Sequence, residues 1–390
     1  MKVGIFIGDI SKEEGGGFTF QKSILNHLSL FSEVYRFYLF YYSKKNFLNA
    51  PSSDSVRHVK LEDLNLVQRV KRKIRNFGKS VKDTNGALHN TATQLDISII
   101  WFPTYRFEKT DIPYIYTIWD LQHRLQPVFP ELLDNSTWEK RELHYDHILK
   151  KAAYILTGTK AGKNEIINFY DVDSSRIKLL PHPIPQLNAV AKELSFEIIE
   201  KLGIESPYIL YPSQFWPHKN HIRLLKALKI LIHEKGLKMC LVLTGSNQGN
   251  QNFIEEKIRE YGLDEYVHIL GFIGSEELSA LYQNALALTY VTLFGPENLP
   301  PLEAMSLGCP AIVSNVSGSM EQYGDNVLYF DKLDHVDLSR KIIELHQNQE
   351  LRNQLIQKGH RRASSYTPRE YVLDMEKIFE EFREFSICWS

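Results

Sequence analysis

The sequence FGPENLPPLEAMSLGCPAIVS, residues 294–314, decides the fold of this 390-residue chain. Pro300 and Pro301 favour the first turn of a helix, where a missing backbone N–H costs little. Gly308 predicts the end of that helix, and residues 311–313 form a short apolar run that is typical of a buried strand. The stretch therefore predicts a loop, a helix and a strand of an α/β domain.

Glu303 stands in the first turn of the predicted helix. The unpaired N–H groups and partial positive charge at a helix start suit an anion or a sugar hydroxyl. A carboxylate on the same turn can accept hydrogen bonds from a diol such as a ribose. Taken alone, however, Glu303 is better explained as an acid that complements the helix dipole.

The whole stretch resembles the signature of the retaining glycosyltransferases of the GT-B class, which include glycogen synthases and many bacterial mannosyltransferases. Leu299, Pro300, Glu303 and Ala304 match its form Glu-Gly-Phe-Gly-Leu-Pro-x-x-Glu-Ala, whereas Gly295 takes the place of the first glutamate. The resemblance implies that Glu303 holds the ribose of a nucleotide-sugar donor.

Glu297 is the acid nearest to the missing glutamate, which in the family touches the transferred sugar. Because Gly295 and Pro296 can redirect the backbone, we predict that Glu297 takes over this catalytic role. Asn298 and Leu299 then line the donor at the helix start. The alternative is that Glu297 only caps the helix and faces solvent.

Composition is that of a soluble globular chain, with 43% hydrophobic and 24% charged residues and a length sufficient for two domains. A net charge of −1 gives no field that would attract nucleic acid, so we expect no such partner. Three scattered cysteines favour a reducing cytoplasm. Without a signal-peptide pattern or an apolar run of about 18 residues, we expect a cytoplasmic chain with peripheral membrane contact at most.

Strand and helix patterns alternate in both halves of the chain, which is typical of parallel sheets covered on both faces. We predict two Rossmann-like, doubly wound domains, 1–183 and 184–368, that meet at the proline-rich segment 179–188 and face a cleft. By resemblance this is the α/β GT-B fold, in which the first domain takes the acceptor and the second the donor. The resemblance also implies that a last helix, about 369–390, packs back on the first domain.

Lys219 lies in YPSQFWPHKNH, residues 211–221, which predicts a strand, a loop and the start of a helix. A lysine at the cleft can hold a diphosphate and stabilise the charge of the leaving group, although a lone loop lysine is more simply explained as solvated. In the family an arginine shares this phosphate. Gln214 stands at that position, so either Lys219 neutralises more of the phosphate charge or His218 helps to bind the phosphate.

A glycine run, residues 15–17, follows the first predicted strand. It resembles the family's loop against the donor diphosphate, which implies that Gly16 and Gly17 bind the donor. A plain flexible loop explains these residues equally well. By the same resemblance, the backbone of Phe272 and Ile273 lies beside the nucleotide base.

A histidine near the transferred sugar is common in relatives, in a His-Asp pair after a strand of the first domain. Here TIWDLQHRLQPVFP, residues 117–130, has Trp119 at that place, followed by Asp120 and His123. We predict that His123 points into the cleft as a catalytic residue. The alternative is that His123 only satisfies a local hydrogen bond.

A basic run, residues 69–82, contains no acid and has apolar residues at helical spacing. It predicts an amphipathic helix that can touch an anionic bilayer bearing a lipid-linked acceptor. A solvated helix face is at least as good an explanation.

The resemblance implies a retaining hexosyltransferase of bacterial surface polysaccharide synthesis. The enzyme would move mannose, glucose or rhamnose from a nucleotide diphosphate sugar to a glycan or lipid-linked acceptor. Helix ends and basic side chains would replace a metal cofactor, since the sequence has no metal-ligand spacing. Two alternatives stay open: a binding or partner protein that lost catalysis, which the residues at Gly295, Gln214 and Trp119 permit, and a nucleotide-sugar epimerase of the same two-domain form.

Overall fold

The computed structural model describes residues 1–8, 16–42, 53–62, 86–184, 187–204 and 207–389. The strands of these ranges form two parallel sheets, one in each half of the chain. The predicted basic helix at 69–82 and the first glycine of the run 15–17 lie outside the described residues.

The first sheet has seven parallel strands in the order β3-β2-β1-β4-β5-β6-β7. Every residue of the central strand β4, IIWF, is buried, as is usual when helices cover both faces of a parallel sheet. The strand order reverses direction between β1 and β4, and ligands of doubly wound sheets bind at such a point, outside the carboxyl ends of the strands. The strands are β1 Lys2–Phe6, β2 Arg36–Tyr41, β3 Val56–Lys60, β4 Ile99–Phe102, β5 Tyr114–Thr117, β6 Tyr154–Thr157 and β7 Ile177–Leu179.

The helices of the first half pack on opposite faces of this sheet. Phe20 and Ile24 of α1 belong to one apolar cluster, and Ile166 and Tyr170 of α6 belong to the other. The helices are α1 Gly16–Asn26, α2 Ala87–Gln94, α3 Gln122–Leu125, α4 Pro130–Leu133, α5 Thr137–Leu149 and α6 Lys160–Tyr170.

The second sheet has six parallel strands in the order β10-β9-β8-β11-β12-β13, with its reversal between β8 and β11. Its strands are β8 Tyr208–Pro212, β9 Cys240–Thr244, β10 Val267–Ile269, β11 Ala287–Tyr290, β12 Ala311–Ser314 and β13 Leu328–Phe330. Its helices are α7 Lys192–Lys201, α8 His221–Lys229, α9 Gln251–Glu260, α10 Ser275–Asn284, α11 Pro300–Ser306, α12 Ser319–Tyr323, α13 His335–Gln347 and α14 Gln349–Ala363.

The last helix, α15 Pro368–Ser386, returns to the first sheet. It begins at a capping box, in which Thr367 accepts the N–H of Arg369 and Glu370 accepts the N–H of Thr367. Its apolar face joins the cluster that contains α1, where the ring of Tyr371 stacks on Trp101 at 6.3 Å. The last helix therefore connects the two halves through a buried apolar contact. The predicted doubly wound α/β architecture is confirmed.

Candidate functional site

The loop between β11 and α11 is fixed internally by Asn298, which is 8% exposed. Its Oδ1 accepts a hydrogen bond from the hydroxyl of Tyr290 (3.0 Å), and its Nδ2 donates to the carbonyl of Gly295 (2.8 Å). Its backbone N–H donates to Oε1 of Gln322 (2.8 Å). Gly295 has a φ of +122°, which only glycine adopts readily. The loop that carries the predicted donor residues is thus held in one conformation.

Lys219 ends a short 3₁₀ turn, Pro217–Lys219, that follows β8. Its Nζ donates to the hydroxyl of Tyr290 at 3.1 Å and lies 5.5 Å from the centre of that ring. Asn220 follows in the left-handed region, with its Nδ2 on the carbonyls of Val291 and Lys332. Within the described ranges Lys219 forms no ion pair, so its ammonium is available to an anionic ligand.

Gln214 and the remaining predicted donor residues of the second half follow its strands at the carboxyl edge. Gln214 follows β8, donates to Oγ of Ser246 (3.0 Å) and accepts from Nε1 of Trp216 (3.1 Å). Phe272, which is exposed, and Ile273 follow β10, and Leu299 immediately precedes α11. The parallel arrangement therefore brings these residues to one edge of the sheet.

Glu303 lies in the first turn of α11 and faces α10. Its Oε2 accepts a hydrogen bond from the hydroxyl of Tyr282 at 3.0 Å, and its Oε1 accepts none from the described residues. Burial raises the pKa of Glu303 to about 7. The carboxylate form of this group has an unused oxygen that can accept a hydrogen bond from a diol.

Glu297 joins the two halves, and its side chain is only 4% exposed. Its Oε1 accepts the backbone N–H of His182 at 2.7 Å, and its Oε2 lies 3.3 Å from Nδ1 of the same residue. A methyl group on Gly158 would lie 1.9 Å from Oε1, so any larger residue there would displace this carboxyl group. Burial raises the pKa of Glu297 to about 8 and lowers that of His182 to about 3, so both are neutral at pH 7. The alternative of a solvent-facing Glu297 is therefore wrong, and its contact with the sugar stays a prediction.

His218 forms a second contact between the halves. Its Nδ1 lies 2.6 Å from Oε1 of Glu131, which also accepts the N–H of His218 at 3.1 Å. Its ring stacks on Phe294 at 4.3 Å, and burial lowers its pKa to about 4. These contacts do not support the expected help with the phosphate, because a neutral imidazole already bonded to Glu131 offers no positive charge.

His123 is completely buried. Its Nε2 lies 2.6 Å from Oε1 of Glu142 and 3.3 Å from the hydroxyl of Tyr170, and burial lowers its pKa. All these partners belong to the first half. The structure thus gives His123 the local hydrogen bonds of the alternative explanation, and none of its contacts supports a catalytic role in the cleft.

Gly16 and Gly17 are the first residues of α1 rather than part of an open loop. A methyl group on Gly17 would lie 2.7 Å from Cη2 of Trp119, so this glycine makes room for the indole that stands in place of the family's histidine. The Trp119 ring also packs edge-to-face on His182 at 5.9 Å. Its Nε1 is buried and donates to no group among the described residues.

None of the helices in the described ranges combines the length and the apolar character needed to cross a membrane. In the same ranges, no group of three or more His, Cys, Asp or Glu side chains is arranged to hold a metal ion.

Comparison with known proteins identifies a matching family model and curated relatives. Residues 195–362 match the family model of glycosyl transferases group 1. O-antigen chain mannosyltransferase B of Escherichia coli is 27% identical over 240 residues, which cover 60% of this chain and 61% of that protein. The chain thus spans about three fifths of the length of this curated relative.

Solved structures resemble the chain along its whole length. Sucrose-phosphate synthase from Thermosynechococcus elongatus has a TM-score of 0.74 at 15% identity and covers 99% of this chain and 100% of its own. Anabaena HepE in complex with UDP-glucose has a TM-score of 0.71 at 16% identity, with coverage of 98% and 100%. These likenesses confirm the predicted GT-B fold. Together with the match of residues 195–362, they support a group 1 glycosyltransferase of the GT-B fold.

Proposed function

We propose that this protein transfers a hexose from a nucleotide diphosphate sugar to a hydroxyl of a glycan or lipid-linked acceptor. The observation that carries the proposal is the ammonium of Lys219, which lies at the carboxyl edge of the second sheet. It is bonded to the hydroxyl of Tyr290 and paired with no carboxylate of the described residues. An ammonium without a counter-ion at this position suits a diphosphate.

Glu303 is the proposed ligand of the donor ribose. Its free oxygen can accept from one ribose hydroxyl, while the hydroxyl of Tyr282 holds the other oxygen. A nucleotide-sugar donor is further supported by HepE, a protein of the same fold in complex with UDP-glucose. The relative from E. coli, an O-antigen mannosyltransferase, supports mannose as the sugar and a surface polysaccharide as the product.

The proposed reaction retains the configuration of the anomeric carbon. The bond between that carbon and the diphosphate oxygen breaks while the acceptor oxygen attacks from the same face. The departing phosphate oxygen takes the proton of the acceptor hydroxyl, so that the products are a glycoside and a nucleoside diphosphate. Lys219 stabilises the charge that develops on the phosphate, which is the contribution that a metal ion would otherwise supply. Gln214 adds hydrogen bonds there but no charge.

Two other residues receive positioning roles. Because both oxygens of Glu297 contact His182, Glu297 acts in this proposal by fixing the β11–α11 loop against the first half. Trp119, at the position where relatives have a histidine, packs its ring on His182 and so supports the same contact.

The test is to incubate the full chain with GDP-mannose, UDP-glucose and dTDP-rhamnose and to separate the products by chromatography. A transferase releases nucleoside diphosphate, slowly to water and faster when lipid-linked glycan is added. An epimerase converts the nucleotide sugar without releasing the nucleotide, and a binding protein leaves all three donors intact. Either of these two results would contradict the proposal.

A further inference from the structure

A cavity of about 550 Å³ lies between the two halves, beside α6. Its first wall is the face of α6 that carries Asn164, Glu165 and Asn168, and its second wall includes Phe294 and Lys332. Because α1 and α6 pack on opposite faces of the first sheet, this rear cavity lies on the other side of that sheet from Gly17 and Trp119.

Glu165 is the unusual group in the rear cavity. The residue is 9% exposed, neither of its carboxyl oxygens accepts a hydrogen bond from the described residues, and Oε2 is wholly buried. Burial, with a smaller contribution from the carboxylate of Asp120, raises the pKa of Glu165 to about 7. Burying a carboxyl without a partner is unfavourable for folding. Its presence is therefore better explained by a ligand than by stability.

Four side-chain amides line the same cavity: Gln122, Gln126, Asn164 and Asn168. None of these amide groups is hydrogen-bonded to another described residue, although Gln122 is only 2% exposed. Each amide offers two N–H donors and an acceptor oxygen. The cavity thus presents a set of unused donors and acceptors to whatever occupies it.

The chemistry of the lining fits a neutral polyhydroxyl compound. Sugar hydroxyls both donate and accept, as the amides do, and the Phe169 and Phe294 rings that line the cavity offer apolar faces to the C–H groups of a sugar. Glu165 and Lys332 are the acid and the cation of the lining, so the walls carry no excess of one charge. A strongly anionic or cationic ligand would leave one of the two unmatched.

We propose that the rear cavity binds a neutral sugar residue of the acceptor glycan, with Glu165 and the four amides as its hydrogen-bonding groups. This rests on the proposed glycosyl transfer, which requires such an acceptor. The β11–α11 loop also lines this cavity, because Gly295 belongs to the lining. The carbonyl of Gly295 accepts a hydrogen bond from Nδ2 of Asn298. A glycan held there contacts the loop that positions the donor residues.

The test compares the wild type with Glu165→Leu, and with Glu139→Leu as a control at an exposed acid of α5. Trisaccharides of α-linked mannose, of glucose and of galactose are titrated against the full chain and followed by saturation-transfer NMR. We expect at least one trisaccharide to bind the wild type and the control. Glu165→Leu should bind it about tenfold more weakly or worse, the scale of a lost hydrogen bond to a charged group.

Thermal unfolding of the same samples separates lost binding from lost folding. Because leucine removes a buried carboxyl without a partner, Glu165→Leu should unfold at the same temperature as the wild type or higher. Absence of binding by all three trisaccharides, or equal affinity in Glu165→Leu, would overturn the proposal. Nucleoside diphosphate titrated into these samples reports on the donor site. If it fails to bind while a trisaccharide still binds, the proposed transfer is contradicted but sugar binding in the rear cavity is not.

Discussion

Glu297→Gln tests the neutral contact between Glu297 and His182. The carboxyl is 4% exposed, and its Oε1 accepts the N–H of His182 at 2.7 Å, a bond that a glutamine of the same shape preserves. Burial raises the pKa of Glu297 to about 8 from the ordinary value of 4.5. Between these two values the folded protein holds a proton that the unfolded chain has released.

The sign of the effect follows from that difference in bound protons. Where the folded state binds more protons, the free energy of unfolding falls as the pH rises, so the wild type loses stability from about pH 5 to about pH 8. Glutamine does not titrate, so Glu297→Gln does not lose stability in this way. Each pH unit in the window corresponds to about 1.4 kcal/mol. From pH 5.5 to pH 7.5, Glu297→Gln should therefore gain on the order of 2–3 kcal/mol relative to the wild type.

The assay is urea unfolding at pH 5.5, 6.5 and 7.5, followed by tryptophan fluorescence. Contributions of the other buried acids, Glu165 and Glu303, occur in both proteins and cancel in the difference. Glu139→Gln, at an exposed position of α5, is the matched control and should follow the wild type at every pH. A difference that does not change with pH would refute the neutral contact. A relative gain by the wild type as the pH rises would contradict it as well.

Three further results are expected. Glu303→Gln should weaken nucleoside diphosphate binding about tenfold by calorimetry, and the affinity of the wild type should fall below about pH 7 because a protonated Glu303 loses an acceptor; unchanged affinity would reject the ribose role. Gly158→Ala should lower the free energy of unfolding by about 1–3 kcal/mol, because its methyl group would lie 1.9 Å from Oε1 of Glu297. Unaltered urea unfolding would show that the Glu297 side chain moves aside without a cost in stability. Sugar transfer should continue in a strong chelator, whereas complete loss restored by magnesium or manganese would contradict a metal-independent reaction.

The sequence predicts the interior of both sheets better than their margins. The apolar runs of the central strands, such as IIWF at 99–102, are unmistakable because both faces are covered. The strands Val56–Lys60 and Ile177–Leu179 lack such an apolar run, and both are edge strands of the first sheet. At an edge, charged residues such as Arg57 and Lys178 remain in contact with water, so the apolar signal is lost.

Helix α1 shows a similar limit. The apolar pattern predicts one helix from about 19 to 31, whereas α1 ends at Asn26 and a 3₁₀ turn, Leu28–Leu30, follows. The helix buries Leu25 and the turn buries Leu28, three residues later, so the periodicity does not distinguish a tighter turn from a continued helix.

At the candidate site, local sequence predicts which residues follow the strands but not their partners. Lys219 and Tyr290 are 71 residues apart, and Glu297 and His182 are 115 apart. No local pattern connects such pairs, because tertiary packing alone brings them together. The same reason explains His123, whose partner Glu142 lies on the next long helix and directs the imidazole into the first half.

Glycosyl transfer at this site is tested most directly by the rate of product formation in Lys219→Ala. The wild type and a control, Lys229→Ala at an exposed position of α8, should convert a nucleotide sugar and a glycan acceptor into equal amounts of glycoside and nucleoside diphosphate. Lys219→Ala should fold normally and turn over at least about 10²-fold more slowly, the scale of removing one group that stabilises developing charge. Near-normal turnover in folded Lys219→Ala, or no glycoside from the wild type with any of the three donors, would contradict glycosyl transfer at this site.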